Sequence, residues 1–332
     1  MSSSIPEIPP ASSLIDKAGV SHEPFRDQEG FLPVESGPSS SQWAISLVLL
    51  SLTFCTTTFA GLFYATGFFG FSGLSSILFK LNPGTILSCI SFSFPLIVIL
   101  TAHELGHYFA CRYYGMKCTP PYFIPAPLPL TGTLGAFIKI KSHFRRKKAL
   151  FDIGIAGPLA GFLFSLPVLW IGISISRLTP KLPQFSGLIF GEPLLFRLIG
   201  MAVLGYSPEK QDMIAHPMAM AGWVGLLATS LNLLPIWQLD GGHVAYAVFG
   251  AERHKVLSFA AVAAIIFVSF LSWPTPSYLL FGLILLVVGW RLRFYHPAPL
   301  LDDGPLGPGR TILALIALLI LILSFTPTPI TA

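Results

Sequence analysis

Apolar residues in this chain gather into long runs separated by polar or Pro/Gly-rich stretches, with little short alternation. Several runs approach or exceed the ~20 residues a helix needs to cross a bilayer. Spans are predicted at about 43–68, 86–113, 149–176, 217–234, 256–273, 278–290 and 312–325. The run at 278–290 is short and must tilt or borrow flanking residues. The expected fold class is therefore an all-α polytopic membrane protein with about 6–7 transmembrane helices. Residues 115–146 break the pattern, because Pro120, Pro121, Pro125, Pro127 and Pro129 interrupt any helix there. Within this stretch Thr133 to Lys141 alternates in part, which predicts a strand or one arm of a small membrane-associated β hairpin. Its exposed edge could pair with an extended peptide, or it could simply connect two spans. Residues 177–214 are mixed, with a partial helix expected around 194–204.

Composition agrees with this reading. The chain is 53% hydrophobic and 11% charged, against about 25% charged in an ordinary soluble domain. The exception is residues 1–42, which are Ser- and Pro-rich and carry Glu7, Asp16, Glu23, Asp27, Glu29 and Glu35. They are expected to form a disordered cytoplasmic tail. They lack the basic start and short apolar core of a secretory signal, and their acids argue against an organelle transit peptide. Residues 43–332 read as one transmembrane domain. Cys55, Cys89, Cys111 and Cys118 form no Cys-x-x-Cys pair and read as small core residues.

A net charge of +5 gives no reason to expect a nucleic-acid partner, but its placement is informative. Arg112, Lys117, Lys139, Lys141, Arg145, Arg146, Lys147 and Lys148 crowd the connection after the second span. Basic residues favour the cytoplasmic face, so this connection is assigned there. Counting forward, the fourth span returns to the same face near Pro235.

The second span ends in Thr101-Ala-His103-Glu104-Leu-Gly-His107. Residues i and i+4 share one helix face, so His103 and His107 can offer two nitrogens to one metal ion, with Glu104 beside them. This is the His-Glu-x-x-His pattern of zinc proteases. An ionised carboxylate in a membrane helix costs about 2.5–3.5 kcal/mol on insertion scales, which points to a functional role for Glu104. The bland alternative is a polar cluster that joins two helices.

A catalytic zinc takes three protein ligands and keeps a position for water. Asp240 is the best candidate for the third. It follows the fourth span, lies at the same membrane depth, and precedes Gly241 and Gly242, which permit a sharp bend. The alternative is that Asp240 caps the next helix. His243 is the second choice as ligand and otherwise supports that helix; His216 falls on the opposite side and is excluded. Glu104 can act as general base on the attacking water. Asn232 can hold a substrate carbonyl or oxyanion, or else forms an interhelical hydrogen bond.

Together, His103-Glu-Leu-Gly-His107, the Gly154-Ile-Ala-Gly-Pro158 region and Asn232-Leu-Leu-Pro-Ile-Trp-Gln-Leu-Asp240-Gly resemble the site-2 protease family of intramembrane zinc metalloproteases. The resemblance covers about residues 85–250. It implies one zinc per chain held by His103, His107 and Asp240, with Glu104 as catalytic base and Asn232 at the substrate carbonyl. It implies hydrolysis within transmembrane segments of membrane-protein substrates, near the cytoplasmic face, often after a first cut elsewhere. About 35 residues separate the second and third spans, too few for the PDZ domain that many bacterial relatives carry. The chain is thus most similar to the PDZ-less branch shared by bacteria and chloroplasts. The expected location is the bacterial cell (inner) membrane with the site toward the cytoplasm. A catalytically inert relative or a metal-binding membrane transporter are the rivals; no motif residue is missing, and no internal repeat of the transporter kind is visible.

Overall fold

The computed structural model describes residues 37–69, 82–181, 188–274, 276–291, 294 and 296–331. The acidic stretch through residue 36, most of the expected tail, lies outside them. Helix α1 spans Ser40–Phe69, α2 Pro83–Tyr113, α3 Lys147–Ser174, α4 Leu194–Leu204, α5 Pro217–Leu233, α6 Asp240–Phe249, α7 Ala251–Ser269, α8 Leu279–Arg291 and α9 Gly307–Ser324. Each predicted apolar run is helical. Among the described residues, α1, α2, α3 and α9 are long and apolar enough to cross a membrane. The count of seven spans drew on three further helices. Of these, α5 has 17 residues and α8 has 13, while α7 opens with Glu252, Arg253 and Lys255.

Local signals set the boundaries. Asn82 caps α2, its side-chain oxygen accepting from the Thr85 N–H at 2.9 Å, and Pro83 follows at the first turn, where no N–H is missed. The short α4 ends at Gly205, which takes φ 64°.

Helix α2 lies at the centre, packed against α1, α3 and α5. Phe92, Leu96 and Ile99 of α2 meet Leu169 and Ile173 of α3 and Ala219 and Leu226 of α5 in the main core. Lipid tails are as apolar as leucine, so close approach rather than water exclusion holds such helices together. Gly172 illustrates this: a Cβ there would stand 2.3 Å from the Ala219 backbone nitrogen. Helix α9 is fastened to α3 by Arg310, which donates to both Asp152 oxygens at 2.8 and 2.6 Å.

The expected hairpin is present. Strand β1 (Tyr122–Pro125) pairs antiparallel with β2 (Thr133–Phe137), Tyr122 opposite Phe137, and Cys118 bridges to Ile140 beyond it. Its tip rests on α1. Gly132, at φ 68°, lies so close to α1 that a Cβ would be 2.4 Å from the Thr56 carbonyl oxygen. Ser46 donates to the Pro121 carbonyl at 2.5 Å, and Tyr64 to that of Leu130 at 2.7 Å. Two further antiparallel pairs join β3 (Arg177–Pro180) to β5 (Gln211–Ile214) and β4 (Ile189–Phe190) to β6 (Ile330–Thr331).

Candidate metal centre

Helix α2 presents His103 and His107 one turn apart, both buried. Helix α5 ends at Leu233, and the turn through Pro235 and Trp237 delivers Asp240 as the first residue of α6. Leu239, not Asp240, is the N-cap of α6, which leaves the Asp240 carboxylate free to face α2. Its Oδ2 lies 3.1 Å from His103 Nε2 and 3.3 Å from His107 Nε2. The two Nε2 atoms are 3.2 Å apart. Among the described residues, these three form the group whose ligand atoms converge as a metal site requires.

Their chemistry fits zinc. The Nδ1 of His107 lies 2.7 Å from the Ile153 carbonyl oxygen, which can only accept, so Nδ1 carries the hydrogen. In the neutral ring, Nε2 is then a bare lone pair aimed at a carboxylate oxygen and a second imidazole nitrogen. Such a convergence of electron pairs calls for a cation. Donors bound to a tetrahedral zinc at about 2.0–2.1 Å stand roughly 3.3 Å from one another, close to the spacing seen here.

Glu104 is also buried and lies beside the same imidazoles. The backbone N–H of Ile138, just past β2, faces its carboxylate, which brings the hairpin to the edge of the site. Asn232, in the last turn of α5, places Nδ2 3.4 Å from His103 Nε2. His216 caps the other end of α5, accepting from the Met218 N–H at 3.2 Å.

His243 takes a different place from the three converging residues. Its Nδ1 donates to His296 Nε2 at 2.7 Å, while His296 Nδ1 donates to the Pro297 carbonyl at 2.8 Å. Burial pushes His243 down to about 4 and His296 down to about 3. At neutral pH both rings are therefore uncharged.

Two glycines have a role the sequence alone does not suggest. Gly157 and Gly161 of α3 read as residues for helix contact, yet what they meet are the two imidazoles. A Cβ at Gly157 would stand 2.0 Å from His107 Nε2, and one at Gly161 would stand 3.1 Å from His103 Nδ1. The available signal is periodicity: the glycines repeat at i, i+4, as the histidines do. Ile153, whose carbonyl orients His107, carries no signal, because any residue supplies a carbonyl.

Fold and site together define a helical protein in which two buried histidines at the end of an apolar helix and a partly buried aspartate converge in a group able to hold a metal ion. The profile of Peptidase family M50 matches residues 91–273, and the chain belongs to this family, that of the site-2 proteases. It is an integral membrane protein, and zinc is the cofactor the family and the centre imply. The chain is 35% identical over 169 residues to "Probable zinc metalloprotease EGY1, chloroplastic" of Oryza sativa subsp. japonica, covering 50% of this chain and 29% of the relative. The Arabidopsis thaliana protein of the same name is 30% identical over 244 residues, 72% of this chain and 43% of the relative. "Probable zinc metalloprotease EGY3, chloroplastic" of Oryza sativa subsp. indica is 30% identical over 255 residues, 70% and 40%. The chain thus spans less than half the length of these curated relatives. No solved structure matches it at a significant level.

Proposed function

We propose that this chain is an intramembrane zinc endopeptidase that hydrolyses peptide bonds within transmembrane segments of membrane proteins. The observation that carries this reading is the meeting of Asp240 with His103, 137 residues away in sequence, and with His107, beside a buried Glu104. His103, His107 and Asp240 would hold the zinc. When bound, the ion supplies a Lewis acid on which water ionises near pH 7.

The chain's own residues do the rest. Glu104 accepts a proton from the attacking water and passes it to the departing amine. Such transfers contribute about 10²–10⁴-fold. The Asn232 amide donates to the substrate carbonyl as charge builds on its oxygen. Ile153 and the two glycines hold the imidazoles in register. The hairpin, with Ile138 at the Glu104 carboxylate, offers backbone groups to a substrate helix that has opened into an extended strand.

Residues 43–332 act in this reading as one metalloprotease domain within the lipid bilayer, preceded by the acidic tail. The basic stretch Lys139–Lys148 begins directly after Ile138, whose backbone faces Glu104, which supports a centre near the positive-inside face. The relatives are named chloroplastic, so they lend no support to a bacterial inner membrane.

The test compares membrane peptides released by the parent and by Glu104→Gln in the native membrane. Peptides from transmembrane segments, released by the parent alone, are the expected result. Identical peptide pools from parent and variant, with both proteins folded and zinc-loaded, would overturn the reading.

A further inference from the structure

The Asp240 carboxylate is aimed by a turn that is itself held from behind. Trp237, three residues before Asp240, has φ 46°, and Phe294 is the other non-glycine with a positive φ among the described residues. A bulky side chain rarely adopts that conformation unless its surroundings fix it. Both ends of this residue's backbone are gripped by α7. The Trp237 N–H donates to Ser258 Oγ at 3.0 Å. The Trp237 carbonyl accepts from His254 Nε2 at 3.1 Å. Ser258 also donates its own hydrogen to the Pro235 carbonyl at 3.1 Å. His254 is 1% exposed and Ser258 0%. They lie one helical turn apart, so α7 offers one polar face to a single strained turn.

That turn bears directly on the carboxylate. The Trp237 carbonyl oxygen is packed against Gly242, where a Cβ would stand 2.3 Å away. Gly241 fits the same way against the Leu233 carbonyl, at 2.0 Å. The first turn of α6, which begins with Asp240, is thus nested in the backbone that His254 and Ser258 hold.

We propose that His254 and Ser258 are positioning residues of the metal centre, acting through the Trp237 backbone to hold Asp240 at the two imidazoles. This rests on the zinc reading above. His254 serves as an Nε2–H donor to a carbonyl, and Ser258 serves as acceptor and donor at once. Neither role can be filled by an apolar side chain of the same size. Loss of an outer partner of a metal ligand typically costs about 10–100-fold in metal affinity.

The test uses the full chain purified in detergent, with zinc affinity read by chelator competition and the site read by the visible spectrum of the cobalt-loaded protein. Ser258→Val and Ser258→Thr add nearly the same volume and differ in the hydroxyl, which threonine alone keeps. His254→Phe removes the donor; His254→Gln keeps one. Valine and phenylalanine should lower zinc affinity about 10–100-fold and alter the cobalt spectrum, while threonine and glutamine should restore most of both. A general structural role predicts no such rescue by chemistry. If Ser258→Val and His254→Phe bind zinc as tightly as the parent, the clasp is wrong. If the parent itself binds no zinc, the metal reading fails first.

Discussion

Among the described residues, the four helices apolar enough to cross a bilayer behave as two pairs. In α2 and α3, 56% and 50% of the most apolar stretch is buried; in α1 and α9 the shares are 28% and 17%. Apolarity does not separate them. Leu315, Leu318, Leu319 and Ile322 of α9 are exposed, as are Leu47, Val48, Leu52 and Phe59 of α1. Small and polar residues are buried on α1 too, at Ser46, Thr53, Thr57 and Ala60. The inner pair differs in carrying buried ionisable groups and the glycines that meet them, with His103, Glu104 and His107 on α2 and Gly157 and Gly161 on α3. In lipid small residues let backbones meet, whereas another leucine gains little by leaving the acyl chains. The metal centre lies where the two kinds of residue coincide.

Substitutions in the two pairs should therefore differ sharply. The largest effect belongs to Glu104→Gln, which should lower turnover by about 10²–10⁴-fold with zinc content unchanged; retained turnover would remove Glu104 as the base. Next is Gly157→Ala, whose methyl would collide with His107. Zinc affinity should fall by about 10–100-fold, and an unaltered affinity would reduce Gly157 to ordinary packing. Arg310→Ala loosens the outer helix from Asp152 and should cost roughly 1–2 kcal/mol in stability, measured by denaturation in detergent, with zinc binding intact. Smallest is Leu315→Ala on the lipid face of α9, expected within about 0.5 kcal/mol of the parent. A large loss there would mean that α9 is covered by protein rather than lipid.

Much of this was legible in the residue order because membrane helices and metal pairs both leave periodic traces. The apolar runs gave the helices, and the i, i+4 histidines gave half of the centre. Asp240 followed from depth: the basic connection after α2 is assigned to one face, and the count of spans brings the fourth back to it. That inference survives the shortness of α5, because the 17 residues of this helix still carry Asn232 to the same end as His103. What the residue order could not show lies in the backbone. The Ile153 carbonyl, the strained Trp237 turn and its grip by His254 and Ser258 depend on main-chain atoms that every residue shares. His243 was ambiguous for a related reason. Its spacing from Asp240 allowed a ligand, and only the position of His296, 53 residues away, turns it aside.

X-ray absorption at the zinc edge of the purified chain tests the central claim most directly. The account predicts one zinc per chain, bound by two imidazole nitrogens and carboxylate or water oxygens at about 2.0–2.1 Å, with the metal lost or its spectrum changed in Asp240→Ala. Sulfur neighbours at about 2.3 Å, or an identical spectrum and metal content in Asp240→Ala, would contradict it.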